Sequence, residues 1–314
     1  MFLQRERTYK LTIGDLATGE AVEILPPLNI RFDIEKNIDN TGNLNNANFE
    51  VYNLSINTRT KFERIKYPYI RFECGYKDID NSATIFIGNA TSISSSERGG
   101  DVITKIQAGE AFIQLHSVLK PFTVPSGRPL AEVVQGVVNQ MQNIALGTIS
   151  TDMQGSLGKP LLLQNTKKQA LEEKTTSAYP VDGTPFQVFN QLADEQNIQW
   201  RIDRNKVYFR NKGGAFSSPS QEVFLLSEDT GLIGLPAYIS KRSGVVDSNS
   251  AGMLGVSITA LLNPNIFPES LIAIKSKDTQ IDGTYLVRRQ KFKGEYAGND
   301  WYIEMDAYEV KRDV

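Results

Sequence analysis

The chain has 314 residues, enough for two or three units that each bury a core. Apolar residues make up 40% and charged residues 22%, an ordinary globular balance, and a formal net charge of −2 leaves no global basic field to draw in nucleic acid or an anionic membrane. One cysteine, Cys74, excludes an intrachain disulfide framework, and no apolar run of about 18 residues is present to span a bilayer as a helix.

The first ten residues are polar and charged and lack the apolar centre of a signal peptide, so the expectation is synthesis and use without secretory export. The first third then reads as strands. Ile30, Phe32 and Ile34 alternate with Arg31, Asp33 and Glu35, the period of a sheet with one buried face. Residues 37–46 follow, rich in asparagine and containing Gly42, and predict a turn or projecting hairpin tip. Phe49 and Val51 mark a second strand, and Ile70, Phe72 and Cys74 a third. Further strands are predicted at residues 84–88 and within 101–108.

The middle third changes period. Leu130, Val133, Val134, Val137, Val138 and Met141 have helical spacing, with Pro129 acceptable in the first turn. Thr184, Pro185 and Gln187 form the start signal of a second helix, a capping box, and Phe186, Phe189, Leu192 and Ala193 give it an apolar face that ends near Asn197. Ile198, Trp200 and Ile202 then alternate, residues 203–206 turn and residues 207–209 return, which predicts a helix packed on a hairpin. Residues 143–160, with three glycines, are expected to be irregular or weakly stranded. A loop rich in glycine and serine at residues 211–220 marks the next boundary, and residues 243–252 predict another loop. Strands return at residues 222–226, 237–241, 254–262, 270–275, 284–292 and 301–308.

The first and last thirds carry a weak internal repeat at a slowly drifting separation of about 200 residues. Residues 48–54 align with 255–261, 69–73 with 271–275, 84–87 with 284–287 and 101–108 with 300–307. The order is kept, as small loop deletions would leave it. The alternative is chance matching of β segments.

The sequence offers little for catalysis. His116 is the only histidine, so a His-based metal cluster cannot form, and its setting reads as a surface or boundary residue. Cys74 falls on the apolar side of its strand, a core position. Neither GxGxxG nor GxxxxGK[ST] occurs. Glu172 and Glu173 lie beside Lys167, Lys168 and Lys174, the mark of a solvated face. Asp78 and Asp80 lie in a turn that lacks the glycine and distal glutamate of an EF-hand loop. Arg289, Lys291 and Lys293 share one strand face with Arg288 beside them; a phosphate site and a solvated, edge-protecting face are both open readings. Trp200 and Trp301 sit in alternating patterns and read as core rather than as sugar-stacking platforms.

Four stretches together resemble the baseplate hub proteins of long-tailed bacteriophages and related contractile injection systems, of the T4 and Mu types. They are the helix and hairpin at residues 184–203, residues 226–236 with Glu228, Asp229 and Gly231, residues 260–264 leading to 271–275, and residues 283–285 with the closing strand at Trp301. The likeness covers most of residues 129–308 and is weaker before them. It implies a mainly β fold with an α+β middle unit and two tail-tube-like β-barrels related by internal duplication. The expected units are residues 1–120, 121–221 and 222–314. It further implies a non-enzymatic virion protein, made in the host cytoplasm and without cofactor or metal. Three copies would form a pseudo-sixfold ring joining a hexameric tail tube or tube adaptor to a trimeric central spike. Other baseplate proteins would be neighbours, and DNA would only pass through the lumen, with no membrane insertion. These residues suggest no lysozyme-like or peptidase-like addition, so cell-wall digestion is expected to belong to a partner. The expected inter-ring contacts are Asn37, Asp39, Asn40, Asn45 and Asn46 in the first loop and Ser243, Asp247 and Asn249 in the second. The alternatives are a distal tail or tube-adaptor protein and, from another class, a glycan-binding β protein.

Overall fold

The computed structural model describes residues 6–15, 18–37, 45–150, 170–211, 222–239, 255–277 and 281–309. The first group of strands is β1 (Arg7–Gly14), β2 (Ala21–Ile24), β3 (Ile30–Asn37), β4 (Asn46–Tyr52), β5 (Tyr69–Tyr76), β6 (Ala83–Arg98) and β7 (Asp101–Gly109), with helix α1 (Ile56–Arg64) between β4 and β5. The middle segment holds α2 (Phe112–His116), β8 (Phe122–Val124), α3 (Ala131–Val138), β9 (Ala145–Ser150), β10 (Tyr179–Val181), α4 (Pro185–Gln196), β11 (Ile198–Asp203) and β12 (Lys206–Asn211). The last group is β13 (Val223–Leu226), β14 (Leu232–Tyr238), β15 (Gly255–Leu261), β16 (Leu271–Ile274), β17 (Gly283–Glu295) and β18 (Trp301–Glu309).

Alternation dictates the strands. Ile30, Phe32 and Ile34 are buried, and the charged residues between them face outward or lie half-covered. In β18, Trp301, Ile303, Met305 and Ala307 point inward by the same rule. The helix α4 begins as its cap predicts. The Thr184 hydroxyl accepts the Gln187 backbone N–H at 3.3 Å, and the Gln187 side-chain Oε1 accepts the Thr184 backbone N–H at 3.0 Å. It ends at Asn197 in the left-handed region, where the chain turns straight into β11.

The first and last groups merge into one 13-stranded sheet, antiparallel except for β13 beside β16. Within the first group the pairing order is β1-β5-β6-β7-β4-β3. Within the last it is β13-β16-β17-β18-β15-β14. The two pairing orders run alike over six strands, except that β1 lies antiparallel to β5 while β13 lies parallel to β16 and β2 has no counterpart; the likeness extends to an irregularity. The register of β6 on β7 slips between Ala90 and Ser92, which face Ala108 and Gln107. The register of β17 on β18 slips between Val287 and Arg289, which face Ala307 and Asp306. A bulge inserts a residue and re-aims the strand, so its position is a specified feature.

The two groups join edge to edge where β17 pairs with β3, from Arg289 opposite Asn37 to Glu295 opposite Arg31. No closed barrel is present among the described residues. The sheet instead stays open, with β2 and β14 at the ends of its path. Its inner face carries one continuous core, in which Phe32 meets Phe72 at 4.7 Å and Trp301 at 5.3 Å between ring centroids. The middle segment has a second, separate core in which α3 and α4 pack with β11 and β12 around Phe189, Trp200 and Phe209. Two predictions shift in detail. β14 starts at Leu232 rather than near Ala237, because the glycine- and proline-containing run from Leu232 pairs with β15 through a bulge. Residues 145–150, expected to be weakly stranded, lie parallel to β12. The predicted loop at residues 243–252 and most of that at 211–220 lie outside the described residues.

Candidate assembly surfaces and a buried ionic staple

The most concentrated chemistry in the molecule lies where β3, β4, β7 and the β11–β12 hairpin meet. Lys36, at the end of β3, is only 1% exposed. Its ammonium donates to Asp203 Oδ1 at 2.5 Å and to Glu110 Oε1 at 3.0 Å. Glu110 follows β7 directly, and its other oxygen accepts from Asn45 Nδ2 at 2.6 Å. Asn45 also donates to the Ile202 carbonyl at 3.1 Å and accepts the Asn37 N–H at 3.3 Å. Asp203 is fixed by its turn, for Arg204 and Asn205 both have positive φ in a two-residue hairpin loop. Arg204 Nε donates to Asp203 Oδ2 at 3.1 Å, and its guanidinium lies 3.9 Å from the centre of the Phe267 ring. Arg201, beside it on β11, bonds Glu269 at 3.1 Å.

Three cations and three acids thus balance in a site that is buried at Lys36, Glu110, Asp203 and Glu269 and opens to water at Arg204. Burial favours the neutral form of Lys36, but the Asp203 and Glu110 carboxylates outweigh it and raise its pKa. Burial likewise pushes the Asp203 carboxyl up, yet Lys36, Arg201 and Arg204 hold it well below the usual carboxylate range. Glu110 goes the other way: burial raises it, and Lys36 only partly offsets that. The network ties the first strand group, the middle hairpin and the loop before β16 at one point. Each acid is paired and covered, an arrangement suited to fixing three segments rather than to turning over a substrate.

The residues singled out in the sequence are dispersed. Asn37 closes β3 opposite Arg289, and Asn46 opens β4 with its side chain exposed. Asn45 lies between them but faces inward, into the staple. Asp39, Asn40, Ser243, Asp247 and Asn249 lie outside the described residues. His116 is exposed, its ring stacked 5.5 Å from Phe186. Cys74 is fully buried, and burial pushes its thiol well up. Among the described residues no group of three or more His, Cys, Asp or Glu side chains is placed to hold a metal ion, and no helix is long and apolar enough to cross a membrane. The basic strip on β17 is paired off. Arg289 meets Glu35 at 2.7 Å, Lys291 meets Asp33 at 2.8 Å and Lys293 meets Glu304 at 2.8 Å. These pairs count against a phosphate site, and the edge-protecting reading does not hold either, because β17 is flanked here by β18 and β3.

The sequence missed the staple, although it carried a signal for part of it. Lys36 continues the buried phase of Ile30, Phe32 and Ile34, and Glu110 continues that of Ile106 and Ala108. A charge in the buried phase of a strand demands a partner.

No protein-family model matches the sequence, and no curated protein matches it. Solved structures do. The 43 kDa tail protein of prophage MuSo2 from Shewanella oneidensis superposes with a TM-score of 0.59 over 97% of each chain at 10% identity. A tail protein from Neisseria meningitidis MC58 gives 0.58 over 97% of each chain, also at 10% identity. The E. coli c3393 protein gives 0.58 at 10% identity over 97% of this chain and 77% of its own. It is described as a component of the type VI secretion system with structural similarity to T4 bacteriophage tail proteins gp27 and gp5. This chain therefore has the fold of phage tail and baseplate hub-like proteins.

Proposed function

We propose that the protein is a structural, non-enzymatic baseplate hub of a phage tail, working as a symmetry adaptor. Three copies would form a ring in which the two strand groups of each chain occupy alternate places. The ring would join a sixfold tail tube or its adaptor to a threefold central spike and surround the channel through which DNA leaves. One observation carries the reading. Six strands of each group share a pairing order and a bulge position, which supports reading them as two near-equivalent units, although the outermost pair is antiparallel in one group and parallel in the other. A threefold object can meet a sixfold one only through such pairs of surfaces. On this reading the groups are copies of one tube-like unit, and barrel closure is completed between neighbours. The resemblance to tail proteins supports the same class.

The segments expected to make inter-ring contacts, residues 37–46 and 243–252, fall in sequence between β3 and β4 and between β14 and β15, and residues 38–44 and 243–252 lie outside the described residues. They are proposed as the contacts to rings above or below. Deleting either should block stacking on the tube and leave the subunit folded.

The test is electron microscopy of the purified protein and of tails that contain it. Threefold rings with six similar lobes are expected. A permanent monomer that binds oligosaccharide and never enters tails would replace this reading by the glycan-binding one.

A further inference from the structure

We infer that the buried ionic staple is a releasable clasp: the middle unit, the described parts of residues 111–211, holds together on its own core and swings off the large sheet about Ala111 when the clasp opens. The inference concerns the single chain and does not depend on the hub reading.

The argument starts from where the apolar cores stop. The core of the sheet follows β7 as far as Ala108, and the core of the middle unit begins at Ala111. Among the described residues the two are separate clusters, with no buried apolar side chain common to both. What crosses from the β11–β12 hairpin to the sheet is polar. Asp203 holds Lys36, the Ile202 carbonyl accepts from Asn45, and Arg201 holds Glu269. Arg204 lies over the Phe267 ring with its own side chain 42% exposed. An aromatic contact also crosses, Tyr67 on Phe112 at 5.9 Å between centroids, but at the rim, where Tyr67 is exposed. Units of one chain that meet through a large apolar interface move as one body, whereas a polar interface leaves relative motion as the default.

The two kinds of contact differ in what water does when they part. Opening an apolar interface exposes surface that water accepts poorly. Opening this one returns Lys36, Glu110, Asp203, Arg201 and Glu269 to water, and their hydration offsets much of the attraction that is lost. Water already reaches the rim at Arg204. The clasp is firm while each charge is paired. Removing one charge leaves its partner buried and uncompensated, and swinging open relieves that by hydrating it.

Backbone geometry marks the pivot. The Glu110 N–H donates to the Asn45 carbonyl at 3.0 Å, which keeps Glu110 on the sheet. The next residue, Ala111, joins β7 to α2 at φ 49° and ψ 30°, a left-handed conformation that a residue with a β-carbon rarely adopts. Glu269, which receives Arg201 on the far side of the clasp, has φ 78°. Strain of this kind persists only where surrounding contacts hold it, and it gathers at switch regions. A rotation at Ala111 turns α2, and the elements packed on it, relative to Glu110. Hinges are built from a few element-terminal residues in this way.

The test uses the full-length chain, spin-labelled at Ser94→Cys on β6 and Asp194→Cys on α4, both exposed positions. Cys74 is fully buried and out of reach of the label. Pulsed electron spin resonance reads the separation of unit and sheet, with labelled chains diluted into unlabelled ones so that only distances within a chain count. Each core holds one of the two tryptophans, Trp200 in the middle unit and Trp301 in the sheet, and both are buried, so blue-shifted emission reports that both cores persist. In the parent one separation should dominate. Glu269→Arg sets two guanidiniums against each other, and Arg201→Met removes a cation and strands Glu269. In both variants a second, broader separation should appear with the emission still blue-shifted, the open population rising at least about tenfold. Glu132→Gln, which breaks the exposed pair with Arg128, should keep the parent separation. Unchanged separations in both clasp variants would refute the clasp, and so would a second separation in the Glu132 control. Red-shifted emission in both clasp variants, a core melting as the clasp is cut, would refute the independence of the unit. None of these results bears on the hub reading.

Discussion

The Lys36 ammonium sits 2.5 Å from the Asp203 carboxylate although 167 residues separate them, and both side chains are at most 3% exposed. The pair joins the last residues of β3 to the turn of the β11–β12 hairpin. Removing one partner of a buried pair strands the other charge in a poor solvent, at a cost of about 3–5 kcal/mol. Lys36→Met leaves Glu110 with no cation in contact, only the Asn45 amide, and leaves Asp203 to Arg204 and Arg201. Urea denaturation at neutral pH should show a loss in that range, and one below about 1 kcal/mol would show that the staple does not hold the fold. The loss should shrink on acidification, because protonating the stranded acids relieves it.

The parent protein should show the opposite acid response through Asp203. Its folded pKa lies below the ordinary 3.8, so its contribution is fully present above that value and is lost as pH falls through the folded value. The stability gap between parent and Asp203→Asn should be flat from about pH 5 to about pH 9 and close in the acid range below. Glu110 has the reverse sign, since a raised pKa makes its ionisation costly in the fold. Glu110→Gln should therefore be milder than Asp203→Asn at neutral pH. Equal losses from the two would refute the assignment of opposite shifts.

The seam between the strand groups leaves no room at Gly294. A β-carbon there would overlap Phe32 Cζ and lie 2.9 Å from Trp301 Cε3. These rings stand edge to face at 5.3 Å in the centre of the large core. Overpacking a site of this kind costs about 1–3 kcal/mol. Gly294→Ala should lower the melting midpoint accordingly, and an unchanged midpoint would mean that the aromatic cluster yields freely.

Thr184→Ala removes the hydroxyl that accepts the Gln187 N–H at the start of α4. Losing such a cap costs about 1 kcal/mol. Thr184→Ser should recover most of it, and equal stability of the two variants would argue against the capping role.

That cap is the clearest case of structure legible in sequence, because all its parts lie within four residues. Strands with strict alternation, such as β3 and β5, were equally visible. The strand β1 was overlooked although Tyr9, Leu11 and Ile13 alternate and are buried, because the charged residues before them set the character of the segment. Helix α1 carried no pattern to find: Phe62 is its one buried apolar side chain among those described, and the Ser55 cap is its main signal. The duplication itself is not shown by the sheet, and where the two strand orders run alike the bulges give a different alignment from the one read in sequence. Val287 matches Ala90 rather than Ile87, since a bulge is invisible until a partner strand is present. The staple was hidden for a stronger reason. Lys36, Asn45, Glu110 and Asp203 come together only through the fold, and no window of sequence holds them.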